Sequence, residues 1–173
     1  DSPAWLGPAL RYAGDMYPVW DRLEERLKSD SQFPPTPGKQ DTPGFLAGMH
    51  ARASMIARSL LPLLKFRGDE KISDIAAGAG TWSGLIHKEH PATQLTLLEQ
   101  PEIFSGMQSF CQNLGLADAN FISADYHTHT FAGMEQDVLL YFGALHQERE
   151  EDIPALISHF AAGLRPGGRM LIL

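Results

Sequence analysis

Hydrophobic residues in the first third of the chain recur with helical spacing. Between Met16 and Leu27 they fall every three or four positions with charged residues between them, which predicts an amphipathic helix. The stretch 29–44 then contains four prolines and two glycines, which predicts a surface loop or linker. A second helix is predicted to begin near Pro43, because proline is tolerated in the first helical turn. Its predicted buried stripe consists of Phe45, Met49, Ile56, Leu60 and Leu64.

After residue 70 the pattern changes to short apolar runs that alternate with amphipathic segments. The runs of strand length are 71–76, 94–99, 119–124, 136–142 and 169–173. The helical segments between them are 81–90, 101–115 and 151–164, and the sequence RPGG before the last strand predicts a turn. The run 136–142 is nearly all apolar, as expected of a strand covered on both faces. This alternation predicts an α/β fold, a doubly wound and mainly parallel sheet preceded by α-helices.

Composition narrows the classes of function. A net charge of −7 without a basic block argues against a nucleic-acid partner. The single cysteine, Cys111, excludes an internal disulfide, suits a reducing compartment such as the cytoplasm, and is expected to be a small buried hydrophobe. No apolar run approaches the roughly 18 residues of a membrane span. The chain lacks a signal peptide pattern and an initiator Met, and its fifth strand is cut short, so we expect a fragment.

The most informative stretch is ISDIAAGAGTWSGLI, residues 72–86, in which a predicted strand leads through a glycine turn into a helix. Gly78 and Gly80 would let the backbone turn tightly and approach a ligand closely, because neither has a Cβ. A dinucleotide-binding fingerprint needs a third glycine where this chain has Ser83. The chain also lacks the Gly-Lys-Ser/Thr ending of a phosphate-binding loop. The turn is therefore expected to face something other than a pyrophosphate, either a nucleoside or only neighbouring side chains.

Three acidic residues are predicted to lie near this turn. Asp74 is in the first strand, Glu99 ends the second and Asp125 follows the third. Ligands of open α/β sheets bind beyond the carboxyl ends of the strands, where Glu99 could accept both hydroxyls of a ribose. Asp125 could accept from an adenine amino group or from a nearby backbone donor. Carboxylates suit a cationic nucleoside better than one with phosphates, and S-adenosylmethionine, with its sulfonium and ammonium groups, fits.

Several segments, in order and spacing, resemble class I S-adenosylmethionine-dependent O-methyltransferases of the plant caffeate, flavonoid and acetylserotonin type and of bacterial antibiotic and pigment pathways. GDMYPVWDRL and FLAGMHARAS resemble the helices before the family's cofactor domain. ISDIAAGAGTWSGLI resembles its glycine motif, LTLLEQPEIF its strand ending in Asp-Leu-Pro, and FISADYH its Gly-Asp-Phe/Met segment. DVLLYFGALHQEREED resembles the segment with the catalytic His, and LRPGGRMLIL the family's L-x-P-G-G segment. The resemblance extends from about Tyr12 to Leu173.

The resemblance implies a division of the chain and a set of ligands. Residues 1–66 would form a helical N-terminal and linker segment, and residues 67–173 a Rossmann-like cofactor domain that ends after its fifth strand. The cofactor would be S-adenosyl-L-methionine, without a metal, and the substrate a small, phenolic acceptor. The complete protein would be a homodimer. The implied cofactor-binding residues are Asp74, Gly78, Gly80, Glu99, Asp125 and Tyr126, with Tyr126 against the adenine.

The resemblance also implies that His146 is the catalytic base. It follows the fourth strand and therefore lies on the same side of the sheet as the glycine turn. A histidine with an ordinary pKa near 6.5 can accept the proton of a phenol at neutral pH. The chain departs from the family in having Gln147 where Asp usually follows the histidine, and Ala76 and Ala77 where glycines are usual.

Other chemically notable residues have plainer interpretations. His127 and His129 are predicted to lie on a polar loop, and a metal site there lacks further ligands. Trp82 is expected in the core. The acidic residues Glu148, Glu150, Glu151 and Asp152 are expected to form a solvated helix start, which the helix dipole favours.

Three functions stay open from the sequence. The first is O-methylation of a small phenolic or hydroxylated metabolite. The second is the same fold used for C-methylation, or for a reaction in which S-adenosylmethionine is bound but not consumed. The third is a non-catalytic assembly domain.

Overall fold

The computed structural model describes residues 5–28 and 42–173. Most of the predicted loop or linker, residues 29–41, lies outside the described residues. No helix in the two described segments is long and apolar enough to cross a membrane. The predicted boundary between residues 66 and 67 falls in the connection between the last N-terminal helix and the first strand, and the division into two domains stays a prediction.

The N-terminal part is helical. It consists of α1 (Gly7–Asp15), α2 (Tyr17–Trp20), α3 (Leu23–Lys28) and α4 (Thr42–Leu64). The amphipathic helix predicted between Met16 and Leu27 is interrupted, because α2 and α3 are separate, and its apolar residues Trp20, Leu23 and Leu27 are exposed. Apolar spacing alone therefore predicted helical conformation here, but not whether these side chains are buried.

The predicted strands and helices of the C-terminal part are confirmed, except for the start of the fifth strand. The strands are β1 (Lys71–Ile75), β2 (Gln94–Glu99), β3 (Asn120–Ser123), β4 (Gln136–Tyr141) and β5 (Leu164–Ile172). The helices between them are α5 (Thr81–Glu89), α6 (Pro101–Asn113) and α7 (Ile153–Ala161). All strands pair in parallel in the order β3-β2-β1-β4-β5, so the strand order reverses between β1 and β4. This is the predicted doubly wound sheet.

The core lies on both faces of the sheet because successive strand residues point to opposite sides. In β4, Val138 and Leu140 pack on one face against Ile72, Leu97 and side chains of the helices α4 to α6. On the other face, Leu139 and Tyr141 pack with the Phe160 side chain of α7. All six residues of β4 are buried, which confirms a strand covered on both sides.

The turn predicted at RPGG is a bulge inside β5. Gln136 of β4 pairs with Leu164, and Val138, two residues later, pairs with Arg169, so the intervening residues of β5 leave the regular ladder. Gly167 has a φ of 80°, in the left-handed region that favours glycine. The turn predicted before a short fifth strand is thus corrected to an irregular, longer strand that includes RPGG.

An ion network closes the amino edge of the sheet, opposite the carboxyl ends of the strands. The nearly buried carboxylate of Asp137 accepts from Arg67 at 2.6 Å and pairs with Arg165. Arg169 donates to the backbone oxygen of Leu64 at 2.7 Å and to the buried carboxylate of Glu70 at 3.4 Å. These contacts join the end of α4 to β5.

Candidate cofactor and active site

A cavity of about 290 Å³ lies at the carboxyl edge of the sheet. It is bordered by the loop after β1, the end of β2 and the loop after β4, which is where the strand order reverses. Ligand sites of doubly wound sheets occur at this position. Its polar wall groups include Arg52, Thr81, Glu99, Gln100 and Gln147, and much of the rest of the wall is apolar.

The loop between β1 and α5 forms one wall through backbone bends. Ala76, Gly78 and Gly80 all have φ between 55° and 65°, in the left-handed region. A Cβ added to Gly78 would meet no described atom within 4 Å, whereas one added to Gly80 would lie 2.4 Å from Cys111 Sγ. Gly78 therefore leaves space on the cavity side, and Gly80 allows α6 to approach the loop.

Glu99 holds this loop against the end of β2. Its Oε2 accepts the Gly78 backbone N–H at 2.7 Å, and its Oε1 accepts the Gln100 N–H at 2.8 Å. The side chain is nearly buried and borders the cavity. The structure thus brings together two of the predicted site residues, Gly78 and Glu99, with the carboxylate fixed beside the backbone of Gly78.

Asp74 lies beneath the loop and is not part of the cavity wall. It is buried, and the Ser83 hydroxyl donates to its Oδ2 at 2.7 Å. Burial raises the pKa of Asp74 to about 7 against the opposing effect of the Ser83 hydrogen bond, and the nearby charge of Glu99 adds to the rise. The position favours a supporting role for Asp74, and its direct contact with a ligand stays a prediction.

The loop after β3 places Tyr126 on the cavity wall, whereas the side chain of Asp125 contacts His127. Tyr126 is buried and borders the cavity. Asp125 is half exposed, and its Oδ1 accepts from both the backbone N–H and the ring Nδ1 of His127, at 2.9 and 2.8 Å. These hydrogen bonds to His127 lower the pKa of Asp125. Asp125 is not on the cavity wall, so its predicted contact with adenine stays untested.

His146 lies in a short 3₁₀ turn, Leu145–Gln147, directly after the cavity-lining residues Phe142, Gly143 and Ala144. Its side chain is exposed and makes no hydrogen bond to any residue between 42 and 173 or in the described N-terminal helices. The next residue, Gln147, borders the cavity. His146 is therefore at the predicted edge of the sheet, beside the cavity rather than in its wall.

The sequence predicted α4 but did not indicate that this helix borders the cavity. Phe45, Met49, Arg52, Ala53 and Ile56 of α4 border it, whereas the buried residues of this helix are mostly small. The predicted buried stripe thus largely faces the cavity, and Ile56 is 47% exposed. The available signal was a second stripe of small residues, Ala51, Ser54 and Ala57, which allows the helix to pack closely.

Cys111 and Trp82 both lie in the core. Cys111 is fully buried and burial raises the pKa of its thiol to about 12, as expected of a structural cysteine. Trp82 is in the core, as expected, and it also borders the cavity. In the part of the chain that the structure describes, no three His, Cys, Asp or Glu side chains are grouped as metal ligands.

Residues 72–168 match the family model described as a methyltransferase domain. This segment covers β1 to the bulge of β5 and includes the glycine loop, Glu99, Tyr126 and His146. The chain therefore belongs to the methyltransferase domain family, which confirms the class predicted from the sequence motifs.

Three similar proteins give finer comparisons. The chain is 26% identical to the tetracenomycin polyketide synthesis 8-O-methyl transferase TcmO of Streptomyces glaucescens, covering 98% of this chain and 52% of the relative. It is 25% identical to the bacteriochlorophyllide d C-20 methyltransferase of Chlorobaculum tepidum, covering 88% and 44%. The structure of human N-acetylserotonin methyltransferase in complex with S-adenosylmethionine superimposes with a TM-score of 0.78 at 20% identity, covering 99% and 53%. The chain thus spans about half the length of these proteins.

Proposed function

We propose that the cavity binds S-adenosylmethionine and that the complete protein transfers its methyl group to a hydroxyl of a small, phenolic acceptor. The observation that carries this proposal is the fixed carboxylate of Glu99 beside the backbone of Gly78 at the point where the strand order reverses. Carboxylates at the end of the second strand recognise ribose hydroxyls in folds of this kind. The relatives named as O-methyltransferases support the same reaction.

The described walls fit the chemistry of this cofactor. The absence of a Cβ at Gly78 leaves room for a ligand against the backbone. Tyr126 and Trp82 offer aromatic surface to an adenine. Arg52 is exposed and borders the cavity, and its guanidinium suits the cofactor's carboxylate. Asp74 and Gly80 would act by holding the loop, and Asp125 by holding the segment that carries Tyr126.

The chemistry that the cofactor supplies is an electrophilic methyl group on a sulfonium. The chain would contribute alignment and proton removal. We infer that His146 accepts the proton of the acceptor hydroxyl, which leaves an oxygen nucleophile to form the new C–O bond while the C–S bond breaks. The exposed position of His146 beside the cavity is suited to an acceptor that arrives from outside the cofactor pocket.

The cofactor proposal is tested by calorimetric titration with S-adenosylmethionine. Arg52→Ala is expected to weaken binding about tenfold, which corresponds to ~1.4 kcal/mol, through loss of a charge pair at the cavity. Arg58→Ala is the matched control, because Arg58 is exposed on the same helix but does not border the cavity. Absence of binding by the complete protein would instead support an assembly domain, and equal affinities of both variants would remove Arg52 from the site.

The catalytic proposal is tested with labelled methyl donor and a panel of phenols. His146→Ala is expected to lower kcat by about 10² to 10⁴, because it removes the general base, while cofactor affinity stays near that of the wild type. His90→Ala, at the far end of α5, is the control. Turnover unchanged in His146→Ala would exclude His146 as the base.

A second candidate is methyl transfer to carbon. Two observations favour it: Gln147, rather than an acid, follows His146 on the cavity wall, and one relative is named as a C-20 methyltransferase. Products of the phenol panel distinguish the two, since an O-methyl and a C-methyl group give different carbon chemical shifts.

We further propose that the complete protein is a cytoplasmic homodimer without a nucleic-acid partner. The net charge of −7 supports the last point. Exposed apolar side chains on the N-terminal helices, including Trp5, Tyr17, Trp20 and Leu27, support an association surface there. Light scattering of the complete protein would test this assembly, and a monomeric mass would contradict it.

A further inference from the structure

The side chain of Glu148 is the centre of a hydrogen-bond cluster, which we call the Glu148 cluster; its members are Asp125, Tyr126, His127, Tyr141 and Glu148. Both phenols donate to Glu148 Oε1, Tyr126 at 2.8 Å and Tyr141 at 2.9 Å. His127 Nε2 lies 3.0 Å from Glu148 Oε2, and its other ring nitrogen contacts Asp125. Glu148 was expected to be a solvated helix residue, but its side chain is only 9% exposed. The correction follows from the three donors that enclose it.

The cluster is chemically matched to an ionised carboxylate. Burial opposes ionisation of Glu148, yet the hydrogen bonds from His127, Tyr126 and Tyr141 lower its pKa. Burial raises the pKa of Tyr126 to about 12, so this phenol stays a neutral donor at physiological pH. The hydrogen bond to Glu148 raises the pKa of His127, against the effect of burial. A charged residue enclosed in this way holds its neighbours in one arrangement.

The cluster joins three segments that meet at the candidate active site. Tyr126 borders the cavity from the loop after β3, and Tyr141 is the fully buried last residue of β4. Glu148 directly follows the turn that contains His146 and the cavity residue Gln147. One carboxylate therefore fixes the turn with the proposed base relative to both the sheet and the cavity wall.

We propose that Glu148 is a positioning residue, which sets the place of the His146 turn against the cofactor cavity. The proposal rests on the proposed function of that cavity and of His146. Methyl transfer requires alignment of donor carbon and acceptor oxygen, and a misplacement of about 1 Å can cost about 10² in rate. Glu148 needs no contact with substrate or cofactor to have this effect.

The test compares three variants of the complete protein by kcat, KM and cofactor affinity. Glu148→Ala is expected to lower kcat about 10²-fold while the dissociation constant of S-adenosylmethionine changes less than about threefold. Glu148→Gln, which keeps the acceptor for both phenols, is expected to recover kcat to within about tenfold of the wild type. Glu150→Ala is the control, because Glu150 is exposed two residues further along. A kcat near the wild type in Glu148→Ala, or a loss equal to the loss of folded protein, would overturn the proposal.

Two further measurements keep the proposal separate from the proposed function and from folding. The imidazole NMR signals of His146 are expected to shift or broaden in Glu148→Ala but not in Glu150→Ala, whether or not methyl transfer is detected. Unchanged His146 signals would overturn the positioning role, whereas failure of wild-type methyl transfer alone would overturn the proposed function. Should Glu148→Ala not fold, Tyr141→Phe removes one donor of the cluster and is expected to lower kcat about tenfold with unchanged cofactor affinity; a wild-type kcat in that variant would count against the proposal.

Discussion

At the scale of single residues, the candidate site depends on backbone conformation as much as on side chains. Ala76 has a φ of 55°, which costs a residue with a Cβ roughly 1–2 kcal/mol relative to glycine. The sequence placed Ala76 where the family usually has glycine, and the structure keeps the left-handed bend at this position nonetheless. The neighbouring hydrogen bond from Gly78 to Glu99 stabilises the same loop.

The buried carboxyl of Asp74 makes stability depend on pH. Because burial raises its pKa from 3.8 to about 7, the folded protein keeps the proton where the unfolded chain has released it. The free energy of unfolding is therefore expected to fall as pH rises from about 4 to about 7, by ~1.4 kcal/mol per unit of pKa difference at most. Asp74→Asn should remove this fall, because an amide does not ionise in this pH range. Its oxygen can still accept from Ser83, so the hydrogen bond is kept.

Urea denaturation at pH 5 and pH 7.5 measures the effect. The decrease in the free energy of unfolding between pH 5 and pH 7.5 should be smaller in Asp74→Asn than in the wild type, by more than about 1 kcal/mol. Glu150→Gln, at an exposed position, should behave as the wild type does. Parallel pH dependence in all three proteins would show that Asp74 does not retain its proton.

At the scale of elements, the loop after β1 has two glycines with different tasks. Gly78 borders the cavity, and Gly80 precedes α5 and lies against Cys111 of α6. The sequence predicted both as ligand-approach positions, because a glycine has the same freedom wherever it lies. Only the packing of α6 distinguishes them.

Alanine substitutions should separate these tasks. Gly80→Ala adds a Cβ 2.4 Å from the Cys111 sulfur and also strains the left-handed backbone. Gly78→Ala adds only the backbone strain, which costs about 1–2 kcal/mol. We therefore expect Gly80→Ala to lose more stability than Gly78→Ala. Gly78→Ala should fold and bind S-adenosylmethionine more weakly. Thermal unfolding and calorimetry on both variants measure this, and equal stabilities with unchanged affinities would contradict it.

At the scale of the whole molecule, α4 extends from the cavity at the carboxyl edge of the sheet to the ion network at its amino edge. Residues 45–56 of α4 border the cavity, and the carbonyl groups of Leu64, its last residue, and of Lys65 accept from Arg169 of β5, across more than a hundred residues of chain. Arg169 also lies over the Phe66 ring, 5.3 Å from its centroid. The position of α4 beside the cavity thus depends on contacts at the opposite edge of the sheet.

Removing this attachment should destabilise the fold. Arg169→Met is expected to lower the free energy of unfolding by about 1–3 kcal/mol, because Glu70 and the end of α4 lose charged donors. The exposed pair of Arg22 with Glu25 provides the control, and Arg22→Met should change stability by less than about 0.5 kcal/mol. Urea denaturation of both variants gives the comparison, and similar small changes would exclude a structural role for Arg169.

The sequence by itself determined the sheet. Alternating runs gave the five strands and three helices, because apolar periodicity is a local property that burial imposes on each segment. Motif order also indicated the methyltransferase class. The sequence placed Gly78, Glu99 and Tyr126 at one edge of the sheet, because the carboxyl ends of parallel strands lie at the same edge. All three residues border the cavity.

Only the tertiary structure decided which face of α4 borders the cavity, that RPGG is a bulge, and that Glu148 is enclosed rather than solvated. It also turned Asp125 toward His127 and placed Asp74 beneath the loop. These outcomes depend on contacts between residues distant in the chain. The spacing of apolar residues along one segment shows which of its faces is apolar. The packing of the whole molecule determines which residues contact that face.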